Sequence, residues 1–599
     1  MDPTICFFGF FLYFYTLRRS FWMKKHVLKL GILTVALISL VGCGKQGGTK
    51  TDNTSQEVTA QKQADKLVRQ TEFGPVKGLE EQKTLIWQGI PYGGDTAGEN
   101  RWKAPTDPKA WTETLATIKP GDIAIQNSAK GVVGSENNLN LDIYRPNNEA
   151  KDLPVLIYIH GGNNQTGLAQ EVSGASFVEN HEAIVVSINY RLGALGFNPL
   201  AALKTGTDEE NSGNYSLLDI NKSLDWVRKN IENFGGNSKN VTVAGFSAGG
   251  RDVMALLVSP MFKGKFDKAI SLSGGMTIAD EKKSQEVFAA AIAPLVVEDQ
   301  LKATEAEAAA WLLTEEKEVR DYLYQLDASR LSTLMANAGI RMNVFPHLYN
   351  DGVVIPKEGF ATETYNDVPL MMLTGEQEFS LFARFDPYFA KAVADGSINT
   401  DQEKIKQYNF VNKYGGKLYS LFNVEDSAQA MKKNYQGPIY AMEILFGQDE
   451  KVVGPEMGTF GSFHGVFVPL FDTANKNYES LIGDGYKSPG AKELSQVFQN
   501  YVYEFINDDL SKETQPLEWL EWQAEQKERT LYLDADQEKA LVTRGEKTFT
   551  YEDVLAEMEA DVTLTPEQKE ELIKNVLNGR WFSYELDKKY DNVSTFNQK

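Results

Sequence analysis

A chain of 599 residues can hold one large α/β domain or two smaller ones, and 42% hydrophobic with 11% aromatic content is ordinary for a globular protein. Lys and Arg total 61 against 82 Asp and Glu, a net charge of −21 with no basic cluster to offset it, which argues against nucleic acid as a partner. The only cysteines are Cys6 and Cys43, so the sequence beyond residue 43 contains no disulfide.

Residues 1–22 read as a mis-assigned start or an extra hydrophobic leader, because a complete signal begins again at Met23. In residues 23–42, Met23-Lys24-Lys25-His26 is a basic opening and Leu28 to Val41 is mostly apolar. Leu40-Val41-Gly42-Cys43 then resembles a bacterial lipoprotein signal, which implies a lipid on Cys43 and an extracytoplasmic, membrane-anchored protein. The apolar run is short for a membrane span. Residues 43–67, poor in apolar side chains, read as a solvated tether.

The domain expected over 68–545 opens with a β-hairpin, Val68 to Gly78, and a strand at Thr84 to Trp87, with Ile90 to Gly93 as a turn. Leu139 to Tyr144 alternates like a strand, whereas Leu153 to Gly162 and Ala183 to Asn189 are continuous apolar runs of the parallel-sheet kind. Leu217 to Phe234 has helical spacing and stops at Gly235-Gly236. Val241 to Ala244 is a strand, followed at once by Gly245-Phe246-Ser247-Ala248-Gly249 and an apolar helix from Val253. Strand, tight turn and helix around Gly-x-Ser-x-Gly is the setting of a nucleophile elbow, which makes Ser247 the candidate nucleophile.

The remainder continues the strand and helix alternation that points to a doubly wound, mostly parallel sheet with helices on both faces. Between Thr304 and Met335 helices capped by Thr304 and Thr314 are expected, forming part of a cap over the site. Strands are expected at Val368 to Thr374 and Leu531 to Leu533 and an amphipathic helix at Leu494 to Ile506, while Ile439 to Phe446 precedes the loop Gly461 to Gly465. Residues 546–599 read as an extension with one helix, opened by Thr565-Pro566-Glu567-Gln568 and stopped at Asn578-Gly579.

A serine hydroxyl needs a base, usually histidine, and five are available. His26 lies in the signal, His181 in a polar turn and His347 in an irregular stretch; His160 adjoins the loop that would face the oxyanion. His464 remains, in a glycine-flanked loop after both the serine and a candidate acid, the chain order this fold imposes.

His160-Gly161-Gly162, Asn189-Tyr190-Arg191-Leu192-Gly193, Gly213 to Asp219, Phe234-Gly235-Gly236 and Gly245 to Gly250 together resemble the type-B carboxylesterase family, the cholinesterase-like and para-nitrobenzyl-esterase-like branch of the α/β-hydrolases, from about Val68 to about Leu541. The resemblance implies a serine esterase without metal or organic cofactor, acting on a small-molecule ester. It places the oxyanion hole at the amides of Gly162, Asn163 and Ala248. Glu378 matches the family's acid, but the segment is two residues short, so Glu376 stays open as a rival. Arg101, Glu136 and Arg191 match a buried ion-pair cluster, and Asn138 stands where the family usually has cysteine.

Phe246 and Phe467 replace glutamates found in cholinesterase-like members, which implies neutral or apolar rather than cationic esters. With Phe379 and Phe382 they are the candidate pocket residues. The rival functions are a catalytically silent surface binding protein of the same fold, or hydrolysis of amides, carbamates or lactones by the same machinery.

Overall fold

The computed structural model describes residues 65–336, 338–510 and 515–590. Cys43, the signal and the first part of the tether lie outside them. No helix among the described residues is long and apolar enough to cross a membrane.

Among the described residues one sheet has eleven strands. In chain order they are β1 (Leu79–Glu81), β2 (Thr84–Pro91), β3 (Asn140–Pro146), β4 (Leu153–Ile159), β5 (Ile184–Ile188), β6 (Gly236–Phe246), β7 (Lys268–Leu272), β8 (Leu370–Gly375), β9 (Ile439–Ile444), β10 (Thr530–Ala535) and β11 (Ala540–Gly545). Their spatial order is β1-β2-β3-β5-β4-β6-β7-β8-β9-β10-β11, with one reversal at β4 and β5. The seven strands from β5 to β10 pair in parallel, and the flanking pairs are antiparallel.

Burial explains the apolar runs. β4, β5 and β7 are buried along their whole length because helices cover both faces of the parallel centre. Every residue of the helix Ala248–Val258 behind the elbow is also buried. Each Leu or Val sunk there contributes roughly 1.5–3 kcal/mol.

Four local readings need correction. The strand at Thr84 runs on through Pro91 with a bulge between Trp87 and Ile90, so Ile90 is strand rather than turn. Proline ends it without cost to the ladder because the last residue need not donate. Thr304 caps the helix Glu305–Leu312 by accepting from the Glu307 amide, but Thr314 instead donates back to the Trp311 carbonyl. The next helix, Lys317–Gln325, starts after Glu316. The expected ion-pair cluster divides in two: Glu136 takes both ends of the Arg101 fork, while Arg191 pairs with buried Asp219 at 2.6 and 2.8 Å.

The fourth correction concerns the C-terminal extension. Among its described residues it forms three α-helices, Tyr551–Ala560, Pro566–Leu572 and Tyr584–Lys589, rather than one. Thr565 and Gln568 do make the expected capping box, but helix Tyr551–Ala560 carries a second one built from Thr550 and Asp553. Trp581, Phe582 and Leu586 sink into the same core as Phe379, Tyr414 and Tyr419.

Candidate active site

The carboxyl ends of adjacent parallel strands are where such sheets bind ligands. Ile159 ends β4 opposite Gly245 of β6, Phe246 ends β6 opposite Leu272 of β7, and Gly375 ends β8 opposite Ile444 of β9. The loops carrying Gly162, Ser247, Glu378 and His464 therefore leave one edge of the sheet.

Ser247 sits at the elbow with φ 56° and ψ −113°, a left-handed backbone that a residue with a side chain adopts only under constraint. Its amide is held by the Leu272 carbonyl at 2.9 Å. The glycines are steric requirements: a Cβ on Gly245 would stand 2.0 Å from the Gly249 carbonyl oxygen, and one on Gly249 would stand 2.2 Å from that of Ile159. The turn can close this tightly only with bare backbone at both positions.

The acid and histidine loops are bonded to each other before their side chains meet. The Gln377 amide donates to the Ser462 carbonyl at 3.0 Å, the Ser462 amide to Gln377 Oε1 at 3.2 Å, and the Glu376 amide to Ser462 Oγ at 3.2 Å. This lacing brings Glu378 Oε2 against His464 Nδ1 in a short hydrogen bond, both side chains buried. The other carboxylate oxygen, Oε1, accepts from Ser273 Oγ at 2.5 Å, Gly375 N at 2.6 Å and Thr374 Oγ1 at 3.2 Å. Glu376 has no contact with the imidazole; burial raises its carboxyl above the ordinary range, opposed by Lys547 and Lys417. With Nδ1 donating to the carboxylate, the tautomer leaves Nε2 as the basic nitrogen. Among the described residues, Ser247 included, none hydrogen-bonds to the buried Nε2.

Three rings surround His464: Phe246 at 4.8 Å between centroids, Phe382 at 5.0 Å and Tyr419 stacked at 5.4 Å. Phe246 immediately precedes Ser247, so the elbow and the imidazole are neighbours. Phe467 packs edge-on against Phe246 at 5.0 Å, one ring removed. Phe379 packs on Phe382, Phe582 and the Arg580 guanidinium instead of on the imidazole.

The amide loop has left-handed backbone at Gly162, Asn163 and Asn164. The Asn163 side chain is held sideways, accepting from Arg251 Nη2 at 3.1 Å and donating to Gln165 Oε1 at 2.9 Å. Gln165 in turn donates to the Met335 carbonyl at 2.6 Å, tying the loop to the helical segment that precedes it.

The other described histidines are committed elsewhere. His160 bonds Gly161, stacks on Tyr190 and is pushed down to about 4 by burial; His181 bonds Phe177 and Asn500; His347 is buried against Phe345. Among the described residues no cluster of His, Cys, Asp or Glu is arranged to hold a metal.

With this geometry in hand, comparison with known proteins is decisive about kinship: the profile of the Carboxylesterase family matches residues 65–451. The chain belongs to the carboxylesterase family. It is 33% identical over 322 residues to the para-nitrobenzyl esterase of Bacillus subtilis, covering 52% of this chain and 63% of that one. It is 33% identical over 264 residues to the fumonisin B1 esterase of Sphingopyxis macrogoltabida, covering 43% and 46%. The chain thus spans less than two thirds of the length of these curated relatives. A solved PNB esterase superposes with TM-score 0.62 at 26% identity, over 82% of this chain and 100% of the other. A carboxylesterase of Geobacillus stearothermophilus at 22% identity and TM-score 0.61 shares the fold. The α/β-hydrolase fold of the carboxylesterases is therefore the fold of this chain.

Sequence reading missed Ser273 and Thr374, which orient the acid, and Tyr419, Arg251, Trp581 and Phe582, which build the surroundings. Ser273 has φ 53°, a strain that no local sequence pattern announces.

Proposed function

We propose that this protein hydrolyses carboxylic esters through an acyl-enzyme on Ser247. The observation that carries the reading is the Glu378–His464 pair, buried and laced in place beside a serine held in the elbow's left-handed backbone. Ser247 Oγ attacks the carbonyl carbon as its proton passes to His464 Nε2. The displaced electron pair becomes an oxyanion facing the amides of Gly162, Asn163 and Ala248. The tetrahedral species collapses, the alcohol leaves with the proton from Nε2, and water attacks the acyl-enzyme by the same route to release the acid. Glu378 stabilises the imidazolium and holds its orientation.

Phe246 beside the imidazole and Phe467 behind it supply no negative charge for a cationic substrate, which supports esters without positive charge. Membrane attachment through Cys43 is proposed on the signal alone. The full chain, incubated with para-nitrophenyl acetate and butyrate beside Ser247→Ala, tests the reaction; turnover that does not depend on Ser247 contradicts it. Choline esters turned over faster than neutral esters of equal acyl length would refute the charge preference. Incorporation of a lipid label that persists in Cys43→Ser would refute the anchor.

A further inference from the structure

Arg251 lies one turn into the elbow helix, and its chemistry is unfinished. Its side chain is fully buried, yet Nη2 meets only the neutral Asn163 amide, Nη1 only the Met342 thioether at 3.6 Å, and Nε nothing among the described residues. Its guanidinium carbon stands 3.8 Å over the Trp581 ring. Buried guanidinium groups are ordinarily matched by a carboxylate, because an unpaired charge in a low-dielectric interior is costly. A ring face attracts the cation but does not take its hydrogens.

No nearby carboxylate hydrogen-bonds to Arg251. Asp252, next on the helix, faces the Arg251 charge without bonding to it: its Oδ1 accepts from Asn164 at 2.8 Å, and its Oδ2 is buried without a hydrogen-bond partner among the described residues. Burial pushes its carboxyl up to about 7 against the opposing pull of Asn164 and the Arg251 charge, and burial lowers Arg251 to about 10. Glu378 is saturated by His464, Ser273, Thr374 and Gly375.

Two further donors stand alongside. The Trp581 indole N–H and the Tyr419 hydroxyl are both buried and find no acceptor beyond each other among the described residues. Their rings meet edge-on at 5.3 Å, and Tyr419 stacks on His464. Arg251 thus touches both walls of the reacting centre, the amide loop through Asn163 and the imidazole side through Trp581 and Tyr419. Arg251 makes no hydrogen bond to a carboxylate, and the Trp581 and Tyr419 donors beside it lack an acceptor beyond each other among the described residues, so this cluster can still take an anion's oxygens.

We propose that the ester this protein prefers carries a carboxylate, which Arg251 receives with Trp581 and Tyr419, so that Arg251 selects the substrate. The planar guanidinium fork suits two-point recognition of a carboxylate. The inference rests on the esterase reading and adds an anionic subsite to it; it agrees with the exclusion of cations by Phe246 and Phe467 and replaces the expectation of wholly neutral substrates.

The test compares acids with their own methyl esters on the full chain in detergent. The acyl-side pair is para-nitrophenyl hemiglutarate against methyl para-nitrophenyl glutarate, and the alcohol-side pair is 4-acetoxybenzoate against methyl 4-acetoxybenzoate. Rates with Ser247→Ala are subtracted as the spontaneous background. In at least one pair kcat/KM is expected to favour the acid by about tenfold or more, the arm showing which side of the ester faces Arg251. Arg251→Met should bring that ratio down to about one, with Arg251→Lys between. If the methionine variant does not fold, the wild-type ratios decide alone. Ser247-dependent hydrolysis of the methyl esters with no preference for either acid overturns the subsite and leaves the esterase reading standing. No Ser247-dependent turnover of any of the four esters overturns both.

Discussion

Ser247, Glu378 and His464 follow β6, β8 and β9 at the carboxyl ends of parallel strands, whereas Trp581 and Phe582 come from the C-terminal extension; the family profile ends at residue 451, before both His464 and the extension. At the sheet edge, residue identity is dictated by the backbone: only glycine fits at 245 and 249. The extension works by packing. Phe582 stacks on Tyr419 at 4.8 Å, Tyr419 on His464, and Trp581 lies on Arg251. Arg580 anchors this arrangement through buried Asp386 at 2.7 Å. One region places Ser247, Glu378 and His464 under hard steric rules; the other packs around them under soft ones.

The sharpest way to divide the two is at the acid. Glu378→Gln should lower kcat by about 10³–10⁴-fold while Glu376→Gln changes it by no more than about threefold, measured with para-nitrophenyl butyrate. Equal losses would remove the distinction drawn from the His464 contact. Next in size is the extension itself. Phe582→Ala should cost about 3–5 kcal/mol in a denaturant titration and lower kcat as Tyr419 loses its backing. An unchanged kcat at full folding would show that the extension only covers the site.

The elbow strand was legible because strand, Gly-x-Ser-x-Gly and helix follow without interruption. His464 was the histidine singled out because so few others compete for a place after the serine and a candidate acid. The choice between Glu378 and Glu376 was not, since two residues of chain shift an acid without changing its type; the Ser462–Gln377 lacing that sets Glu378 against His464 joins loops far apart in sequence. The extension was hardest of all. Aromatic side chains near a chain end carry no periodic signal, and the packing of Phe379 against Gly415 and Phe582 depends on a close approach visible only in three dimensions. The π-helical turn Phe422–Asp426, just after Tyr419, was likewise beyond any propensity argument.

Smaller effects test the supports of each region. His160, held at about 4 by burial against an ordinary 6.5, is neutral in the fold while the unfolded chain takes up a proton between those values. Its contribution is therefore complete above about pH 6.5 and is lost as pH falls toward 4. The stability advantage of wild type over His160→Gln should shrink by about 3 kcal/mol across that window. In the extension, Thr565→Ala removes one capping box and should cost about 1 kcal/mol, read as a small fall in Tm.

Mass spectrometry of the protein quenched seconds after mixing with para-nitrophenyl butyrate bears most directly on the whole account. The predicted result is a butyryl adduct on the peptide containing Ser247 that is absent from Ser247→Ala. Turnover without any such adduct, or an adduct on another residue that survives Ser247→Ala, would contradict it.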